Sequence, residues 1–164
     1  MRTQKIAVLA AIVLAAACGK EEPAQPDAAA LAFQKQLQTR LITARPGDVI
    51  TIPAGVHPIT RGLSLNVSGV TIRGEGMGKS VLSFKGQLQG AEGVLVSASE
   101  FTRVELAIGD TAGEGLMVSG GGNIGIRRVG SVWTNGPVEM IGAVGISRGR
   151  GECGVVAECV AFGA

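Results

Sequence analysis

Tyrosine is absent from this chain of 164 residues, and there are only one tryptophan, one histidine and three cysteines. A Ser-His-Asp triad or a multi-histidine metal site would have to route through His57, and no Gly-x-Ser-x-Gly elbow accompanies it. His57 stands between Val56 and Pro58 and reads as a surface turn residue, and no metal site is assigned. Runs of basic residues are also missing, which leaves no electrostatic footprint for nucleic acid. The longest uncharged apolar stretch, Ile6 to Ala17, is too short for a mature membrane span, which takes about 20 residues. Charged side chains make up only 17% of the chain, and the 26 glycines follow no three-residue period. A charged disordered chain, a coiled coil and a collagen-like repeat are thereby excluded.

What is present begins with an address. Met-Arg-Thr-Gln-Lys, the apolar stretch and then Ala15-Ala16-Ala17-Cys18 form the n-region, h-region and small-residue cleavage site of a secretory signal. Leu14-Ala15-Ala16-Ala17-Cys18-Gly19 resembles a bacterial lipoprotein lipobox. The resemblance implies that Cys18 becomes the acylated N-terminus, and Gly19 in the sorting position implies the outer membrane. An ordinary secretory signal with a stray cysteine is the alternative. Removing residues 1–17 deletes Arg2 and Lys5, so 15 − 2 = 13 basic side chains face 13 acidic ones and the mature net charge is zero. Residues 18–30, polar and broken by Pro23 and Pro26, read as a disordered tether.

One helix is expected, capped by Asp27 and ending before Pro46-Gly47, with a stripe of Leu31, Leu37 and Leu41 and with Phe33 and Ile42 nearby. Beyond Pro46, where 25 of the 26 glycines lie, short alternating runs such as Val49-Ile50-Thr51-Ile52 and Val70-Thr71-Ile72-Arg73 read as strands of four to seven residues. These strands repeat. Val96-Ser97, Val118-Ser119 and Ile146-Ser147 recur at steps of 22 and 28, and Leu106, Val129 and Cys159 recur at steps of 23 and 30. The surplus of the second step belongs between Trp133 and Ala143. A unit of about 22 residues suits a leucine-rich repeat or a parallel β-helix. The ladder positions are Val, Ile, Leu and Cys rather than leucine with an asparagine turn, which favours the β-helix.

Arg45-Pro46-Gly47-Asp48-Val49-Ile50-Thr51-Ile52-Pro53-Ala54-Gly55 and Gly69-Val70-Thr71-Ile72-Arg73-Gly74-Glu75-Gly76, with Gln38-Thr39-Arg40-Leu41-Ile42 before them, resemble the first coils of right-handed parallel β-helix lipoproteins of the pectate-lyase-like superfamily. The resemblance implies an all-β, right-handed parallel β-helix (solenoid) whose open end is plugged by a short N-terminal capping helix, here residues 28–44. The expected organisation is a signal peptide at 1–17, a tether at 18–30 and a β-helix domain at 31–164 of three to four coils, incomplete at its C-terminus.

The most tempting motif is Gly74-Glu75-Gly76-Met77-Gly78-Lys79-Ser80, which imitates a phosphate-binding loop. Arg73 stands where the first glycine belongs, and Val81-Leu82-Ser83-Phe84 reads as a strand where the motif must open a helix. No nucleotide is assigned to it. Lyases of the superfamily are expected to pair acidic calcium ligands with an Arg or Lys base, so Ca²⁺ enters only on a lyase reading, and glycoside hydrolases use two carboxyl groups. The candidates are Glu105, Asp110, Glu114 and Glu139, with Arg103, Arg127, Arg128 and Arg148 as bases or uronate-binding cations. The spacing 128 − 105 = 23 sets Glu105 beside Arg128, as a cross-strand surface ion pair. Trp133 is a platform for a sugar ring or a hydrophobic lid. Cys153 and Cys159 are too far apart along one extended strand for a disulfide. The expected function is an outer-membrane lipoprotein, periplasmic or surface-facing, that binds a polysaccharide and, if it is an enzyme, processes it by a lyase or glycoside-hydrolase-like activity. The alternative is a non-catalytic surface scaffold or a truncated remnant without an active site.

Overall fold

The computed structural model describes residues 27–98, 103–120, 125–134, 144–148, 155–157 and 160–163. It begins with helix α1 (Ala28–Thr43), which starts inside the stretch read as tether. Asp27 stops the helix from starting earlier: its backbone is extended and its carboxylate accepts from the Ala30 N–H at 2.6 Å.

Everything described after α1 is strand and corner. The strands are β1 (Val49–Thr51), β2 (Gly55–Pro58), β3 (Arg61–Leu65), β4 (Thr71–Arg73), β5 (Ser80–Ser83), β6 (Gln89–Val96) and β7 (Arg103–Glu105). They continue with β8 (Ala107–Gly109), β9 (Leu116–Gly120), β10 (Gly125–Arg127), β11 (Gly130–Trp133), β12 (Val144–Arg148), β13 (Val155–Ala157) and β14 (Val160–Gly163). Successive strands join three sheets in turn: sheet A runs β1-β4-β7-β10-β13, sheet B β2-β5-β8-β11-β14, and sheet C β3-β6-β9-β12. Parallel neighbours need a long crossover, and here the two intervening strands supply it. The result is a mostly β chain of three parallel sheets and one helix. Among the described residues the strands make four full rounds through the sheets and two strands of a fifth.

Register converts sequence alternation into stacked columns. Ile50, Ile72, Val104, Ile126 and Val156 pair in series across sheet A, while Leu63, Val94, Leu116 and Val144, and Leu65, Val96, Val118 and Ile146, do so across sheet C. The sequence column of Val96, Val118 and Ile146 is thus a real one, and Ser97 and Ser119 extend it with their hydroxyls 3.2 Å apart. Leu106 and Val129 are aligned as well, since the Gly130 N–H donates to the Leu106 carbonyl, and both are buried. Cys159, the third member of that set, lies outside the described residues. The pairs Gly130–Ala107 and Val144–Leu116 differ in step (23 against 28), so the insertion does fall between β11 and β12.

The helix packs against β2 and β3. Leu37 and Leu41 are 3% and 1% exposed and join the core, whereas Leu31, expected on the same stripe, and Ile42, expected near it, are 47% and 65% exposed. The four do not share one helix face: positions 37 and 41 are four apart, while 31 and 42 are eleven apart, three turns, on an adjoining flank. Two glutamines one turn apart turn to β3 instead. Gln38 Nε2 donates to the Ser64 carbonyl and the Ser64 N–H donates to Gln38 Oε1, both at 3.1 Å. Gln34 Oε1 accepts from the Thr60 N–H at 2.8 Å and from its hydroxyl at 3.1 Å. A side-chain amide carries the same donor and acceptor as a peptide unit, so the two glutamines stand in for the strand that β3 lacks on that side.

Candidate functional site

Sheet A presents the described cluster of opposite charges. In β4, β7 and β10 the middle residue, Ile72, Val104 or Ile126, is buried, so the residue after it points outward. These are Arg73, Glu105 and Arg127 on three consecutive strands. Arg73 is opposite Glu105, and Arg127 lies one position past the registered pair of Val104 and Ile126. Arg128 reaches the same spot from the corner after β10. Its φ of 50° is a left-handed conformation that costs about 1 kcal/mol for a residue with a Cβ.

Each oxygen of Glu105 faces its own guanidinium, Oε1 at 2.8 Å from Arg128 Nη2 and Oε2 at 3.4 Å from Arg73 Nε. The carboxylate side chain is 12% exposed, against 50% and 53% for the two arginines. The expected pair of Glu105 and Arg128 is therefore present, with Arg73 as an unforeseen third member. Spacing did not reveal it because the step from Ile72 to Val104 (104 − 72 = 32) exceeds the step from Val104 to Ile126 (126 − 104 = 22) by ten. With both oxygens engaged by cations, Glu105 is poorly placed to abstract a proton or attack a substrate. Arginines half in solvent, with exposed Arg127 beside them, can instead bind carboxylate or sulfate groups through their planar donor sets.

Asp110, Glu114 and Trp133 do not join this cluster. Asp110 follows β8 in sheet B with φ 53°, and its carboxylate accepts from the Thr134 N–H and hydroxyl, stitching two successive corners. Glu114 precedes β9; its carbonyl accepts from the Gly93 N–H, and its Oε2 is buried without a hydrogen-bond partner among the described residues. Trp133 is 7% exposed and its indole N–H donates to the Thr111 carbonyl at 3.3 Å. A role in stacking on a sugar would require that ring to be uncovered. Arg103 opens β7 and Arg148 ends β12, while Glu139, Cys18 and Cys153 lie outside the described residues. Among the described residues, no three His, Cys, Asp or Glu side chains are grouped closely enough to hold a metal ion.

In the loop that imitates a phosphate site, Ser80 opens strand β5, and its buried hydroxyl donates to the Ile52 carbonyl and accepts from the Glu75 N–H. A Cβ on Gly74 would come within 2.8 Å of Ser80, so that glycine serves the packing of the corner. His57 lies in strand β2 rather than in a turn, half-buried, with its ring stacked on Phe33 at 4.2 Å and Nε2 donating to the Pro53 carbonyl. No family model, curated protein or solved structure matches this chain.

Proposed function

We propose that the three sheets wind as a right-handed parallel β-helix of the pectate-lyase-like kind, carried by an outer-membrane lipoprotein anchored through Cys18. On this reading the outer face of sheet A binds an anionic polysaccharide at the cell envelope and does no chemistry on it. The observation that carries the proposal is the set of Arg73, Arg127 and Arg128 around one neutralised Glu105. Arg73, Arg127, Arg128 and Glu105 together carry 3 − 1 = +2. Neighbouring strands stand about 4.8 Å apart, so Arg73 and Arg127, on the two strands that flank β7, offer cations two strand spacings, about 9.6 Å, apart to an extended polyanion laid across them. The clamping of Glu105 supports binding over catalysis.

Electrophoresis through gels containing polygalacturonate, alginate or a neutral glucan tests the proposal. The chain is expected to be retarded by the polyuronates and not by the glucan. Retardation should fall in Arg73→Ala/Arg127→Ala and weaken with salt, as exposed charges are screened beyond about 8 Å at physiological ionic strength. Equal mobility in all gels would leave the competing reading, a ligand-free surface scaffold. Release of shortened chains from a glycan panel, with or without added Ca²⁺, would restore the processing activity.

A further inference from the structure

The exposed flank of α1 and the start of β3 bound an open groove of about 800 Å³, on the sheet C side and away from the arginines of sheet A. Leu31 and Ile42 line it from the helix and Leu88 from the segment before β6, at 47%, 65% and 79% exposed. These are three of the five large apolar side chains most open to solvent among the described residues. Lys35, one turn after Leu31, and Arg61, at the start of β3, add two positive charges, and the lining contains no Asp or Glu. Apolar side chains ringed by cations without carboxylates suit a surface that is negative outside and apolar beneath, which is the make-up of an anionic phospholipid bilayer.

Chain length favours the same occupant. Cys18 lies nine positions before the helix cap at Asp27, a reach of at most about 30 Å for an extended chain. The start of the helix, one turn before Leu31, therefore stays within one tether length of any membrane that holds an acylated Cys18, and Ile42 lies about 22 Å further along the helix. We infer that this groove is a membrane-docking surface, in which Leu31, Ile42 and Leu88 enter the interface of an anionic bilayer while Lys35 and Arg61 contact its headgroups. The inference takes only proximity from the reading of Cys18 as an anchor. The intact mass of the chain extracted from envelopes decides acylation independently, so the two can fail separately.

The test uses the acyl-free chain from residue 18 with Cys18→Ser, which retains every described element. Flotation with vesicles of phosphatidylcholine, with and without phosphatidylglycerol, measures partitioning. The chain is expected to float with the phosphatidylglycerol vesicles. Leu31→Ser/Ile42→Ser/Leu88→Ser should lower partitioning at least about tenfold, and Lys35→Gln/Arg61→Gln should reduce it to the level on phosphatidylcholine alone. If the triple variant loses its circular dichroism spectrum, Leu88→Ser alone replaces it, since Leu88 is almost fully exposed. No flotation of the parent, or equal flotation of parent and apolar variants, overturns the inference. A concentration-dependent dimer abolished by the apolar substitutions overturns it in favour of a second copy of the chain.

Discussion

Replacing Gln38 by methionine preserves the length and flexibility of the side chain while removing both of its hydrogen bonds to Ser64. Each such bond contributes about 0.5–1.5 kcal/mol net, so the two together give about 1–3 kcal/mol. Ser64 is half-buried, and water can rescue part of what its N–H and carbonyl lose, so the expected loss is about 2 kcal/mol. The deleted groups also leave part of β3 as a bare strand edge, so a rise in light scattering should accompany the loss. Urea unfolding followed by far-ultraviolet circular dichroism measures the first effect. Gln36→Ala is the control: Gln36 is exposed on the same helix and should shift stability by less than about 0.5 kcal/mol. Should Gln38→Met prove as stable and as monodisperse as Gln36→Ala, the idea that glutamine amides substitute for a missing strand is wrong.

Gly93→Ala should be far worse than Gly78→Ala. A Cβ at 93 would lie 2.6 Å from the Gly115 carbonyl and 2.7 Å from Thr111 Cγ2, whereas at 78 it meets nothing within 4 Å. Thermal unfolding should show a loss above about 2 kcal/mol for the first and a change within about 1 kcal/mol for the second. Glu105→Gln removes the negative charge and one of the two acceptors facing the arginines, but the arginines are half-exposed, so its cost stays below about 1 kcal/mol by denaturant titration. The same substitution raises the charge of this set from +2 to +3 (three arginines, no carboxylate), so polyuronate retardation should increase. A decrease would mean that Glu105 holds the arginines in their binding geometry.

Legibility followed the regularity of the chain's steps. Ser97 and Ser119 sit 22 residues apart, and Glu105 and Arg128 sit 23 apart, so a nearly constant step makes both pairs legible in the sequence. Arg73 escaped because its round is longer, partly through the eight-residue β6 and the shift of register between Arg61 and Leu63. Patterning found α1 and its cap but credited the helix with one apolar stripe. Leu37 and Leu41 go inward, whereas Leu31 and Ile42 stay open, a division set by the helix's seating on β2 and β3. Asp110 and Glu114 read as site candidates because chemistry was assigned by residue type, and Trp133 as a sugar platform or a hydrophobic lid, of which its burial agrees with the lid. Asp110 ties one corner to the next and Trp133 is buried against Thr111, roles fixed by neighbours distant in sequence.

Tension entering through the N-terminal segment would reach α1 before any sheet. Thr60 and Ser64 each lie 26 residues from their glutamine, so detaching the helix breaks those bonds and pulls Leu37 and Leu41 from the core while the strand pairs beyond remain matched. Load from that side would therefore fall first on four hydrogen bonds to Thr60 and Ser64 and two leucines rather than on the strand ladders.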